Sequence, residues 1–253
     1  MTEEARILLI DIETAPNKVW TWGLFKQNIS INQIDEPGYT MCWAAKWLGK
    51  PRVMWESITH HDDFIQTVWD LLDKADMVIH YNGSSFDIPI LNKEFLLAGH
   101  GPPSPFQEID LYKTCKSRFR FASNKLDYIS QALGIGKKLS HKGMELWEGC
   151  MNDDPPSWAI MKRYNKQDVV LLEPLYEKLK PWIQPHPNMA LFTDKATRVC
   201  SSCGSGKVQR RGLVPVGIQK YWRYHCQDCG KWSRSKATVL SVEKRATTLV
   251  GLK

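Results

Sequence analysis

Three places in the sequence gather carboxylates where metal chemistry could use them. Asp11 and Glu13 close an apolar run and, two apart in extended chain, share one face. Asp87 follows a second apolar run through a Gly83-Ser84-Ser85 turn, at the start of a helical pattern. Asp168 lies in a long helical stretch, with Tyr164 four residues earlier and so on the same face. A strand end that collects negative charge needs a counter-charge, and divalent cations supply one. Mg²⁺ prefers carboxylate and water oxygens in octahedral geometry. Two such ions about 3.5–4 Å apart can activate a water and stabilise the leaving oxygen of an in-line phosphoryl displacement. That reaction needs three or four carboxylates from different elements converging on one point.

The elements that must position them are readable from periodicity. Residues 6–12 (RILLIDI) form a short apolar run, expected as a buried central strand. Residues 40–48 and 52–57, rich in Trp, Val and Met around Gly49-Lys50-Pro51, read as a hairpin. Residues 62–74 place Phe64, Ile65, Val68, Leu71 and Leu72 at helical spacing. A strand over 77–81, a helix over 86–97, a strand over 108–112 and a helix over 126–133 follow. A long helix over 157–179 closes the series, with Ser157 as its N-cap. This order describes an α/β layer fold with a mixed sheet.

Beside those elements the sequence resembles a known family. Asp11-Ile12-Glu13-Thr14 is similar to the first motif of the DEDD, or DnaQ-like, 3′–5′ exonucleases. Asn82-Gly83-Ser84-Ser85-Phe86-Asp87 resembles the second motif, and Tyr164-Asn165-Lys166-Gln167-Asp168 the third. The likeness covers roughly residues 5–180 and is nearest to the exonuclease domains of family B polymerases and to stand-alone versions encoded by phages. It implies a ribonuclease H-like mixed sheet flanked by helices. One branch of the family carries His five residues before the last Asp. Arg163 stands there, so Tyr164 implies the tyrosine branch, DEDDy. Carried over, Asp11 would bridge two Mg²⁺ (or Mn²⁺), Glu13 and Asp168 would hold the first, and Asp87 would help anchor the second through water. Tyr164 would orient the attacking water.

Further substrate contacts are expected around this set. Thr14 could touch the terminal nucleotide through its backbone, or serve as a cap. Asn82 and Phe86 could meet the scissile end, although core packing is the better reading of Phe86. Asp110, at another strand end, reads as a structural acid. Residues 15–40 look like an insertion whose Trp20, Trp22 and Phe25 either stack on bases or cover the sheet. The glycine-flanked loop 134–143 carries Lys137 and Lys138, which could grip backbone phosphates.

Near the C-terminus Cys200, Cys203, Cys226 and Cys229 form two CxxCG knuckles. Four thiolates at this spacing suit one tetrahedral, structural Zn²⁺ in a small zinc ribbon, and leave His225 unneeded. A module with few aliphatic residues would take its stability from the metal. Cys42, Cys115 and Cys150 read as buried or idle thiols. From His186 onward there are 13 Lys+Arg against 3 Asp+Glu, whereas the preceding residues are slightly acidic. Arg210, Arg211, Arg223 and Trp222 are therefore candidate nucleic-acid contacts.

The prolines of residues 181–187 place a linker. The expected plan is a ribonuclease H-like 3′–5′ exonuclease domain over 1–180, a linker over 181–195, the ribbon over 196–240 and a tail over 241–253. No stretch approaches the roughly 20 apolar residues of a membrane span. The acidic start lacks a signal-peptide pattern, so the cytoplasm (a host's, for a phage protein) is expected. The function expected is two-metal, 3′–5′ exonucleolytic hydrolysis, of DNA ahead of RNA, with the basic ribbon binding nucleic acid. An exoribonuclease, an endonuclease and a non-catalytic binding or recruitment protein are the alternatives.

Overall fold

The computed structural model describes residues 4–60, 63–194 and 197–251. The chain divides into a unit of residues 6–176 and a second built chiefly from the residues after 176.

In the first unit β1 (Ile7–Thr14) is followed by the short strands β2 (Lys18–Val19) and β3 (Ile34–Glu36) and by the hairpin β4 (Thr40–Trp47) and β5 (Met54–Ser57). Then come α1 (Phe64–Asp73), β6 (Met77–His80), α2 (Asp87–Leu97), β7 (Gln107–Asp110) and α3 (Leu111–Arg118). The helices α4 (Leu126–Ala132), α5 (Met144–Met151) and α6 (Pro155–Leu179) complete it. The sheet runs β5-β4-β1-β6-β7. β1, β4 and β5 pair antiparallel, and β1, β6 and β7 pair parallel. The mixed α/β architecture expected from the sequence is what forms.

The alternation of β1 decides what each face holds. Leu8, Ile10 and Ile12 turn to one side and join Trp43, Val68, Leu72, Val78, Leu91 and Phe95 in a core closed by α1 and α2. At about 25 cal/mol per Å² of apolar surface, this burial is the main force seating the sheet. Asp11 and Glu13 turn to the other side, with Ala44 and Cys42 opposite them on β4. Helix α6 lies over that face. Lys46 of β4 pairs with Glu173 of α6, and Asn165 of α6, fully buried, binds Asp11.

Two local readings are corrected. Helix α6 begins at Pro155, not at Ser157, and Asp154 receives the Ser157 N–H (2.9 Å) and hydroxyl (2.5 Å). Pro at the first helical position needs no donor partner, so the start lies two residues earlier. The insertion does not cover the sheet: Trp22 is 99% exposed and Phe25 83%. It leaves and rejoins the sheet as a stem, held by the Ala15 N–H to Tyr39 carbonyl bond of 2.9 Å and by the Thr14–Thr40 pair.

The second unit contains a three-stranded sheet, β8 (Val208–Val216), β9 (Gln219–Cys226) and β10 (Trp232–Arg234), antiparallel with β9 in the middle. The short helix α7 (Val242–Ala246) follows, its first turn capped by the Ser241 hydroxyl. Among the described residues no helix is long and apolar enough to cross a membrane.

Candidate active site

The carboxylates converge because the sheet and α6 leave them nowhere else to point. Oxygens of Asp11, Glu13 and Asp168 lie within 4.8 Å of one another. Asp87 stands beside this trio rather than in it. The β1–β6 ladder stops at Leu9–Ile79, and three residues on the Ile12 N–H donates to Asp87 Oδ1 at 3.1 Å. The side chain thus caps the open strand end as well as adding charge.

The turn that delivers Asp87 is sterically fixed. Asn82 has φ +69°, a conformation Asn tolerates better than most residues. A Cβ on Gly83 would lie 2.4 Å from the His80 ring, whose Nδ1 accepts the Gly83 N–H at 3.0 Å. Asp110 ties the turn down, accepting from the Asn82 N–H (3.0 Å) and the Ser84 hydroxyl (2.6 Å), and it also caps α3 through the Lys113 N–H. Asn82 therefore has a backbone role independent of any ligand. Phe86 is 43% exposed, which corrects the core-packing reading.

Like charges this close disturb one another. Burial and then Asp168 push the Glu13 carboxyl up to about 8. Asp11 is raised by burial and by Glu13, Asp87 and Asp168, and Asp87 rises to about 6, chiefly through burial. Asp168 is raised by burial against the pull of Lys138, and its buried Oδ1 has no hydrogen-bond partner. A carboxylate cluster with raised pKa values and an orphaned oxygen is a site short of positive charge. The donor set is all oxygen, partly buried and acidic, and fits a hard divalent cation.

Lys138 supplies part of the missing charge. Its Nζ lies 2.5 Å from Asp168 Oδ2 and donates to the Tyr164 hydroxyl at 3.1 Å. Burial opposes that charge, yet Asp168 and Tyr164 hold the ammonium above the usual lysine value. The inward turn is fixed by Asp127 of α4, whose Oδ1 takes the Lys138 N–H at 2.8 Å. His141 and Trp147 pack edge-on against the Tyr164 ring, with centroids at 4.8 and 6.1 Å. Burial, then Asp168, raises the Tyr164 phenol to about 12. Cavities of about 910 and 590 Å³ share Lys138 and Asp127 in their walls; the larger includes Tyr164 and the smaller Asp11.

Of the expected contacts, Lys138 is therefore inside the site, whereas Lys137 lines only the larger cavity. Thr14 sits at an irregularity of the β1–β4 register, next to Glu13. Two residues of the site escaped the sequence reading. Asn165 donates to the Asp11 carbonyl (3.2 Å) and to Asp11 Oδ2 (2.7 Å), and its position three before Asp168 was the available signal. Asp127 offered none.

In the second unit the four cysteine sulfurs also lie within 4.8 Å of one another. The Cys200–Cys229 and Cys203–Cys226 sulfurs are 3.6 Å apart, and no pair is a disulfide. A tetrahedron of Zn–S bonds near 2.3 Å has edges of about 3.8 Å, so the spacing suits one such ion. The basic candidates part company here. Arg210 and Trp222 share one face of the sheet, Arg223 lies on the other, and Arg211 falls in the irregularity of β8 between Arg210 and Leu213.

A family model described as the RNase H superfamily matches residues 8–180. The chain belongs to the RNase H superfamily. Both the acidic trio and Asp87 fall within the matched residues. Among solved structures, the chain is similar to the family B DNA polymerase from the hyperthermophilic archaeon Pyrobaculum calidifontis, with a TM-score of 0.55 and 19% identity. The match covers 70% of this chain and 25% of the polymerase, so the chain corresponds to about a quarter of that protein's length, and the likeness is one of fold. No curated protein matches the chain.

Proposed function

We propose that this RNase H superfamily protein is a metal-dependent 3′–5′ exonuclease of the DEDDy type, acting on DNA. The observation that carries the reading is the convergence of Asp11, Glu13 and Asp168 within 4.8 Å, on the face over which α6 also brings Tyr164. Polarity and sugar rest on the likeness of the three motifs to the exonuclease domains of family B polymerases.

Asp11, Glu13 and Asp168 would hold two Mg²⁺ or Mn²⁺, with Asp87 helping to anchor the second. When bound, such ions lower the pKa of a water and stabilise the charge of the leaving oxygen. Tyr164 remains a neutral phenol, because its pKa is pushed up to about 12. Its hydroxyl accepts from Lys138 and lies beside Asp168, so it positions and does not act as the base. Lys138 adds a fixed positive charge where a scissile phosphate would gain negative charge. In the second unit Cys200, Cys203, Cys226 and Cys229 would hold one structural Zn²⁺, and that basic module would bind nucleic acid alongside the catalytic unit.

Cleavage of 5′-labelled single- and double-stranded DNA and RNA, with Mg²⁺ or Mn²⁺, tests the reading. A ladder shortening from the 3′ end and abolished by Asp168→Ala is the expected result. Activity that survives Asp11→Ala and Asp168→Ala together would falsify the site. Faster loss of RNA would make the protein an exoribonuclease. Internal cuts would make it an endonuclease, and binding without cleavage a recruitment protein.

A further inference from the structure

The three-stranded sheet has two aromatic faces, and they are not equivalent. Along β9 successive side chains alternate, so Trp222, Tyr224 and Cys226 share one side while Tyr221, Arg223 and His225 share the other. The first side belongs to the cysteine cluster. Cys226 is one of the four thiols, Arg198 lies over Tyr224 at 5.5 Å, and Ser233 bonds Ser201 of the first knuckle at 2.8 Å. Arg210 and Trp222, the contacts that composition singles out, are on this occupied side.

The opposite side carries an alternating array. Register places Trp232 beside His225 and Arg234 beside Arg223. The Trp232 and His225 rings are 4.7 Å apart and only 38° from parallel, so His225 backs the indole. Arg223 sits 5.3 Å from the Trp232 centroid and Arg234 4.1 Å from that of Tyr221. Trp232 remains 51% exposed, and both arginines are exposed. Arg223 is aimed along the sheet by its Nε–H bond of 2.6 Å to the Arg211 carbonyl.

We infer that this face, Tyr221, Arg223, His225, Trp232 and Arg234, is a binding platform for single-stranded nucleic acid, with bases stacked on Trp232 and Tyr221 and phosphates held by the two arginines. The inference rests on the nucleic-acid reading of the basic module and assigns it a face and a strandedness. Rings interleaved with cations suit an unpaired strand, whose bases are free to stack. A duplex keeps its base faces stacked internally and would use only the charges. The charge of the region matches such a polyanion: 13 Lys+Arg against 3 Asp+Glu from His186 onward.

The test uses the full chain carrying Asp168→Ala, so that the probe survives, in buffer without added divalent ions. Anisotropy of a fluorescein-labelled 20-nucleotide oligothymidylate and of a labelled duplex of equal length reads the affinity, and zinc per chain checks each variant's fold. Trp232→Ala and Tyr221→Ala should each weaken oligothymidylate binding about 5- to 150-fold, the value of one lost base stack. Trp232→Phe should recover most of the loss. Trp222→Ala and Tyr224→Ala, with zinc retained, should change it less than about twofold. Loss through the Trp222–Tyr224 side alone overturns the face and leaves the nucleic-acid reading standing. Duplex bound as tightly as the single strand overturns the strandedness. If Arg223→Glu with Arg234→Glu, and Arg198→Glu with Arg210→Glu, all leave affinity unchanged, the nucleic-acid reading of the module itself fails.

Discussion

The molecule gathers anionic ligands twice, and the two clusters differ in how complete they are. The cysteine cluster is a closed set: four sulfurs within 4.8 Å of one another, two pairs of them 3.6 Å apart, enough to fill a tetrahedral ion's coordination. The carboxylate cluster is open. It has three close acids, a fourth set aside to cap a strand, an orphaned oxygen, a lysine occupying part of the charge deficit, and two cavities at its edge. A closed set suits a metal that holds a fold together; an open one suits a metal that must meet substrate and water. The acidic cluster, unlike the cysteines, is where the protein leaves its electrostatics unfinished.

The sharpest way to break this contrast is at the sulfurs. Cys200→Ser should abolish zinc binding and unfold the β8–β10 sheet, because about 10–16 kcal/mol of apparent metal binding doubles as folding energy in such modules. Limited proteolysis and zinc stoichiometry report it, and a variant that keeps a protease-resistant sheet without zinc refutes the structural role. Asp168→Ala should act in the opposite sense. Cleavage should drop on the order of a thousand-fold, the rate equivalent of several kcal/mol, while zinc content and melting temperature hold. Unimpaired turnover would remove Asp168 from the site.

Tyr164→Phe deletes only the hydroxyl and should slow cleavage about 10- to 100-fold, as expected for a group that positions rather than ligates. An unchanged rate would assign the tyrosine to packing against His141 and Trp147. The smallest effect is on stability. Folding raises Glu13 from 4.5 to about 8, so the fold favours its protonated form. Below pH 4.5 that preference is fully present. Between 4.5 and 8 the unfolded chain has released the proton and the folded one has not, so stability declines as pH rises. Asp87, raised from 3.8 to about 6, adds to the slope at its acid end. The melting temperature of protein freed of Mg²⁺ should fall measurably over that window. Saturating Mg²⁺ should flatten the curve. A slope indifferent to Mg²⁺ would mean that divalent ions bind elsewhere.

How much of this was readable beforehand follows from where the physics is local. Asp11, Glu13 and Asp87 sit at the ends of apolar runs, so strand periodicity and two-residue spacing located them. Tyr164 and Asp168 share a helix face for the same kind of reason. Helix α3 was not legible, since Leu111–Arg118 is mostly polar and begins only because Asp110 caps it from the end of β7. The inward turn of Lys138 depends on Asp127, eleven residues away, and its sequence neighbourhood reads equally well as a solvated loop. The start of α6 was misplaced because Ser157, a good capping residue, binds Asp154 instead. Phe86 reads as core because an aromatic residue before a helix is apolar by type, yet it is 43% exposed. The two faces of the β8–β10 sheet needed register, which composition does not contain.

Asn165 has a consequence for anyone who would alter the protein. Its amide holds both the carbonyl and the carboxylate of Asp11, so helix and central strand share one fastener. Heat tolerance and catalytic competence are therefore not separate engineering targets at this position. Selection for either one, in the laboratory or in nature, acts on the other through the same two bonds.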